Sequence, residues 1–352
     1  MIILLISALL IGGLLAVQAS ANLQLTRAVG TPYGAAVVQL GIAAGLLALA
    51  ATLTGGIGAL GGLGDVDAWK LAGGIASPLY ITSAIMLFPR LGALASVGLF
   101  VAGQVLASIV LDLGGLLGLP DNTLGAGILV GAFAVIVGVT VVIRSQSSAP
   151  AASAAASQAV AAAAPEAGTQ SGLPVAPQAA SAGAPQAVPA AASGAGPAAA
   201  PHRAGWIVLG LIAGAALPVQ GAVNAALRTD LSPPLAVGTV SFIVATLTIT
   251  VVFGLLRAAG RTPPLRFRPL AAMPRWGWLG GVAAAVYVTA TLLLIPRIGA
   301  ATTVALTVTG QQLASAVIDH FGLFRLPPRP LTKARLGGLT ALVIGCALVQ
   351  FA

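Results

Sequence analysis

Seven carboxylates, two histidines and a single cysteine are all that this 352-residue chain has for acid–base, nucleophilic or metal chemistry. Cys346 stands alone and His202 and His320 are far apart, so neither a disulfide framework nor a Cys/His metal cluster is expected. The carboxylates are Asp65, Asp67, Asp112, Asp121, Glu166, Asp230 and Asp319, and only Asp112 and Asp319 approach the long apolar stretches that dominate the chain. An enzyme working inside those stretches needs a nucleophile with its base, a carboxylate pair or a metal. Scattered serines and threonines and the Asp319-His320 pair do not supply one. No enzyme, no catalytic residue, no metal and no cofactor is therefore expected.

The remaining chemistry is recognition by uncharged polar groups. Tyr80, Gln104, Tyr287 and Gln311 each fall near the middle of an apolar run, where a polar side chain is costly unless something uses it. They are the expected substrate-binding residues, with hydrogen bonding between helices as the alternative. Gln18 and Asn22 lie one turn apart, and Gln220 and Asn224 repeat the spacing. These four are expected to line the pathway or gate it, unless the two asparagines merely end their helices. Asp112 with Arg297, and Asp319 with Arg90, are expected as alternating gates, each placing an acid at a helix C-terminus and an arginine at a helix N-terminus against the dipole. Solvated helix ends contributing little are the other reading of these charges.

What must position these residues is a membrane bundle. Hydrophobic residues make up 58% of the chain and charged residues 7%, with a mean hydropathy of +1.03. Soluble domains are about a quarter charged. Runs of about twenty apolar residues match the helix length that crosses ~30 Å of hydrocarbon. Ten spans are expected, at 2–24, 32–54, 69–88, 91–113, 122–143, 204–224, 234–256, 276–295, 298–320 and 334–351. The pairs Gly41/Gly45, Gly127/Gly131, Gly210/Gly214 and Gly277/Gly281 have the small-xxx-small spacing of close helix contacts.

The net charge of +9 is distributed by topology and so is no nucleic-acid footprint. Arg27, Arg90, Arg144, Arg203, Arg257, Arg261, Arg266, Arg268, Arg275, Arg325, Arg329, Lys333 and Arg335 fall on one side of the expected spans, and Lys70, Arg228 and Arg297 on the other. The positive-inside rule makes the first side cytoplasmic, with both termini outside. Trp69, Trp206, Trp276 and Trp278 stand at span starts, as interfacial anchors do. The first span lacks the basic flank and small-residue cleavage site of a signal peptide and is expected to be retained.

Residues 145–203 are mostly Ala, Pro, Gly, Ser, Gln and Val, a flexible linker by composition, placed on the cytoplasmic side by the charge distribution. It divides a first five-helix repeat, 1–144, from a second, 204–352. At an offset of 202, Gln18, Asn22 and Pro32 meet Gln220, Asn224 and Pro234. At an offset of 207, Trp69, Gly73, Gly74, Tyr80, Pro89, Arg90, Gly103, Gln104, Ala107, Ser108, Asp112 and Pro120 meet identical residues from Trp276 to Pro327. An odd number of spans per copy inverts the second copy, the architecture of many secondary transporters.

Three stretches carry a family resemblance: P-V-Q-G-A-V-N-A-A-L-R with L-S-P-P-L-A-V-G-T-V-S-F in 218–242, W-L-G-G-V-A-A-A-V-Y-V-T at 278–289, and the segment 296–324. They resemble the YdcZ family of bacterial inner-membrane exporters in the drug/metabolite transporter superfamily. The element G-Q-x-x-A-S-x-x-x-D stands in both halves, as Gly103-Gln104-Ala107-Ser108-Asp112 and Gly310-Gln311-Ala314-Ser315-Asp319. The chain is similar to a tandem pair of such units. Its first half departs more, with Gln39 where the second has Ser241. Small multidrug carriers of the superfamily use a glutamate in their first helix; none stands here, so quaternary-cation antiport by that route is not expected.

The resemblance implies a secondary exporter of small metabolites or drug-like compounds in the bacterial inner membrane. Small-molecule substrate and membrane lipid are the expected partners, and nucleic acid is not one. Proton coupling and oligomeric state stay open. A non-transporting scaffold or accessory subunit is the rival reading. It would leave the mid-span Tyr and Gln side chains in separate helix contacts rather than in a common cavity.

Overall fold

The computed structural model describes the backbone of residues 1–113, 125–162, 200–298 and 300–351; side chains are described within these ranges except at 112, 113, 146–162, 200–203, 292, 295, 296, 300–302, 350 and 351. Much of the 145–203 linker and the Asp112 side chain thus lie outside the described residues. No strand occurs among the described residues, and ten helices of sixteen residues or more do.

The first five helices are α1 (Ile2–Val29), α2 (Pro32–Leu53), α3 (Ala76–Leu91), α4 (Ala93–Leu113) and α5 (Ala126–Ala162). The second five are α6 (Ala200–Leu231), α7 (Pro234–Ala258), α8 (Leu279–Ile298), α9 (Ala300–Phe321) and α10 (Lys333–Phe351). Short helical turns at Ala68–Leu71 and Ala72–Ile75 lead into α3. Among the described residues, α1, α2, α4, α5, α6, α7 and the α3 segment with its lead-in, Ala68–Leu91, are long and apolar enough to cross a membrane. Large apolar side chains such as Leu49, Leu53, Phe133, Leu247, Val251 and Leu255 face outward, an arrangement suited to hydrocarbon surroundings.

Local chemistry sets the helix ends. Gly30 ends α1 in the left-handed region (φ 88°), and α2 restarts with Pro32 at a first-turn position that needs no N–H donor. Pro234 starts α7 in the same way. Asn22 and Asn224 end nothing: α1 and α6 continue through both, to Val29 and Leu231.

Packing between the halves is close and reciprocal. A Cβ at Gly12 of α1 would collide with the Thr307 backbone of α9, and one at Gly214 of α6 would collide with the Phe100 backbone of α4. Gly310 lies as tightly on Leu9 as Gly103 does on Leu211. Each member of a pair is displaced from its counterpart by 202 or 207 residues. Helices α5 and α10 run antiparallel, Gly131 meeting the Gly345 carbonyl and Gly138 the Gly338 carbonyl, and α2 packs against α7. Small residues are needed at such crossings because lipid gives helices no hydrophobic reason to associate.

Candidate functional site

At the bundle end marked by Arg90, polar contacts join the two halves. Gln24 Nε2 donates to the Phe324 carbonyl at 3.2 Å, and Arg27 Nη2 to the Arg325 carbonyl at 3.5 Å. Thr31 and Thr262 share a hydrogen bond of 2.8 Å, and the Arg266 N–H donates to the Val29 carbonyl at 3.2 Å. The Trp276 and Phe324 rings meet edge-on, 5.4 Å between centroids.

Asp319 is the centre of this end. Its carboxylate accepts the N–H groups of Ala93 (2.7 Å) and Leu94 (3.1 Å), which begin α4 in the other half, and pairs with Arg335 Nη2 at 2.8 Å. A carboxylate at a helix N-terminus satisfies orphan donors and suits the dipole. The turn between α3 and α4 is built for this approach: Gly92 has φ 82°, and a Cβ there would meet Asp319 Oδ2 and Arg329. Arg329 Nη2 donates to the carbonyls of Pro89 (3.3 Å) and Arg90 (3.1 Å). Burial lowers the pKa of the Arg329 guanidinium from its ordinary value, and the nearby Asp319 charge opposes that shift.

The expected Asp319–Arg90 partnership is not made. Arg90 lies in the last turn of α3, where a cation suits the dipole, with its guanidinium 4.3 Å from the Trp206 ring centroid. The expected dipole violation is therefore absent at Arg90, whereas Asp319 does stand in the last turn of α9, where the α4 N-terminus and Arg335 compensate it. Arg297 is exposed in the last turn of α8, again a favourable place, while its expected partner Asp112 lies outside the described side chains.

Away from that end, two adjoining cavities of about 350 and 470 Å³ enter the bundle. Tyr287, Thr291, Leu15, Leu217 and Gly221 border both. The smaller is faced by Gln104, Ser108, Thr307 and Gln311, the larger by Gln18, Ser77, Tyr80, Gln220 and Asn224. Arg228, near the far end of α6, is the sole charged residue lining either among the described residues. None of the described lining residues comes from the loops 261–275 or 322–332 at the Arg90 end.

All four mid-span residues border these adjoining cavities, Tyr80 the larger, Gln104 and Gln311 the smaller and Tyr287 both, and two of them also make the helix-to-helix contact that was the other expectation. Gln311 Nε2 donates to the Tyr80 hydroxyl at 2.8 Å, joining the two halves in the interior, and the Tyr80 ring packs against Phe100 at 4.8 Å. Tyr287 and Gln104, their counterparts, face the smaller cavity with no hydrogen bond between them among the described residues.

The Gln and Asn pairs divide. Asn22 is buried against Gly280 and donates to Gln39 Oε1 at 2.9 Å, a link from α1 to α2 that lines neither cavity. Asn224 donates to Ser241 Oγ at 3.1 Å and borders the larger cavity. Gln220 exchanges hydrogen bonds with Ser77, at 2.8 and 3.0 Å.

Sequence reasoning missed Ser77, Thr291, Arg228, Arg329 and Arg335. Ser77 carried a usable signal, a hydroxyl where the other half has Ala284. Arg329 and Arg335 carried none, since they counted only toward the topological charge. Pro218, where the first half has Ala16, also borders the smaller cavity; lacking an N–H, it frees a carbonyl within α6.

Of the comparisons with known proteins, a family model described as "Putative inner membrane exporter, YdcZ" matches residues 3–141 and 205–348. No curated protein and no solved structure matches.

Proposed function

The chain belongs to the YdcZ family of inner membrane exporters, and from that premise we propose that it is a secondary transporter whose two halves, 1–144 and 204–352, are inverted five-helix repeats joined by a cytoplasmic linker. In this reading all ten helices span the membrane, and the halves move against each other to expose one central site to either face in turn.

The observation that carries it is the reciprocal packing of the halves. The crossings Gly131–Gly345 and Gly138–Gly338 exchange under the repeat offset while α5 and α10 stay antiparallel. A two-fold axis relating antiparallel helices lies across them, hence in the plane of the bilayer. The cavities add direction. With the arginine-rich end cytoplasmic, the present conformer is sealed inside by the Asp319 cluster and reaches outward past Arg228. Tyr80–Gln311 closed and Tyr287–Gln104 apart is the asymmetry that repeat exchange would reverse.

Substrate contact falls to Tyr80, Gln104, Tyr287 and Gln311, with Gln18, Gln220 and Asn224 along the pathway. Asn22 supports the pathway from behind through Gln39. Asp319, Arg335 and Arg329 form the inner closure, and Arg90 reaches it only through its backbone carbonyl. Among the described residues the cavities are lined by uncharged polar groups, apolar side chains and Arg228, a lining that favours a small-molecule cargo without a positive charge.

The test uses Arg27 and Arg325, both exposed at the sealed end. Spin labels at cysteines replacing them should give two distance populations in lipid nanodiscs, one short and one long. A disulfide between the same cysteines should abolish accumulation of small molecules by everted vesicles until reductant is added. One distance under all conditions, or undiminished accumulation in the linked protein, rules out alternating access.

A further inference from the structure

Gln18 is an amide without a partner. It is 5% exposed and lines the larger cavity, its Oε1 is buried, and no hydrogen bond of its side chain is found among the described residues. A buried amide in that state is costly. Its counterpart Gln220, bordering the same cavity, is satisfied by Ser77 and approaches Ser241 Oγ at 3.5 Å. The difference comes from two substitutions between the halves. Ala284 stands where the other half has Ser77, and Gln39 stands where it has Ser241, with Gln39 Oε1 already taken by Asn22. Both hydroxyls that would satisfy Gln18 are missing.

We propose that Gln18 is the hydrogen-bonding anchor of the transported molecule, which supplies the partner that Ala284 withholds. The statement rests on the transport reading above and narrows its cargo. A carboxamide carries two donors on its nitrogen beside an acceptor oxygen; Oε1 is closed off as the side chain stands, so a cargo engages both groups when the amide turns about its terminal bond, and the complement is an uncharged amide, carboxamide or hydroxyl-bearing group. Around it the wall is apolar, with Leu15, Ile81, Leu217, Phe242 and Val288, and suits a hydrocarbon or aromatic body. Arg228, the one charged residue among the described lining, tolerates a negative group and repels a cation. The volume, about 470 Å³, falls in the small-molecule range. The cargo is therefore a neutral or anionic amphipathic molecule bearing at least one uncharged donor–acceptor group.

Ala284→Ser tests this directly, because it gives Gln18 the internal partner that Ser77 gives Gln220. Purified protein should melt at a higher temperature with Ala284→Ser, and no lower with Gln18→Leu, since that change removes an unsatisfied amide. Everted vesicles are then given a defined mixture of neutral, anionic and cationic small molecules, and accumulation is read by mass spectrometry. Wild type should concentrate neutral or anionic compounds of the stated class. Ala284→Ser and Gln18→Leu should each lower that accumulation about three- to tenfold, the worth of one hydrogen bond. Wild-type accumulation matched by Ala284→Ser overturns the anchor while leaving transport intact. A marked fall in melting temperature for Gln18→Leu overturns it as well, by showing a structural partner. If wild type concentrates nothing, the transport reading has failed and the anchor falls with it.

Discussion

Asp319 Oδ1 lies 2.7 Å from the Ala93 nitrogen, so a carboxylate at the end of one helix caps the start of another in the opposite half of the chain. The same carboxylate holds the buried Arg335, with exposures of 1% and 3% for the two side chains. Helix capping and charge neutralisation therefore depend on one residue.

Asp319→Ala should destabilise the protein by about 3–5 kcal/mol, because it strands a buried guanidinium and opens a helix terminus. The measurement is the melting temperature in detergent. Exchanging the charges, Asp319→Arg with Arg335→Asp, should not rescue it: arginine cannot accept the Ala93 and Leu94 N–H groups. Recovery to near wild type would show that charge alone matters. Arg90→Gln should shift melting far less, since its guanidinium is outside the cluster.

Glycines at the crossings should divide sharply by what they touch. Gly12→Ala puts a methyl into the Thr307 backbone, and Gly214→Ala puts one into that of Phe100. Each should lower the yield of folded protein and its melting temperature. Gly254, inside α7 with open space around it, should accept alanine with a gain of about 0.5–1 kcal/mol. Equal effects at the three sites would contradict the packing.

Asn22 and Gln39 form the first-half version of a link that the second half makes with Asn224 and Ser241. Gln39→Met leaves the Asn22 amide unpaired and should cost about 1 kcal/mol, in line with interhelical hydrogen bonds in membranes. Gln39→Ser, which copies the second half, should cost less because a hydroxyl is restored. The order of the two melting temperatures is the readout. A serine variant less stable than the methionine variant would contradict it.

Orientation follows from charge. A reporter active only outside the cytoplasm, fused after Ala352, should be active, and a cytoplasm-only reporter should be silent. The opposite pattern would reverse which face the cavities address while leaving the packing unchanged.

Much was legible before any coordinates because it is written locally. Long apolar runs, Pro32 and Pro234 at helix starts, and the doubled G-Q-x-x-A-S-x-x-x-D element need no tertiary knowledge. The midpoint positions of Tyr80, Gln104, Tyr287 and Gln311 were enough to single them out, and all four border the cavities. Helix boundaries were less legible: α1 and α6 run several residues past Asn22 and Asn224, because a buried asparagine bonded to a neighbouring helix does not end its own.

Sequence by itself determined the hydrophobic character, the duplication and the family, since each depends on residue type and spacing alone. Only the tertiary structure decided which groups meet. Asp319 takes Arg335 and the α4 N-terminus in place of Arg90, and Gln18 goes unsatisfied while Gln220 is served by Ser77. The reason is geometric: a hydrogen bond requires its partners within about 3 Å, and partners from different helices are brought that close by packing, whatever their separation along the chain.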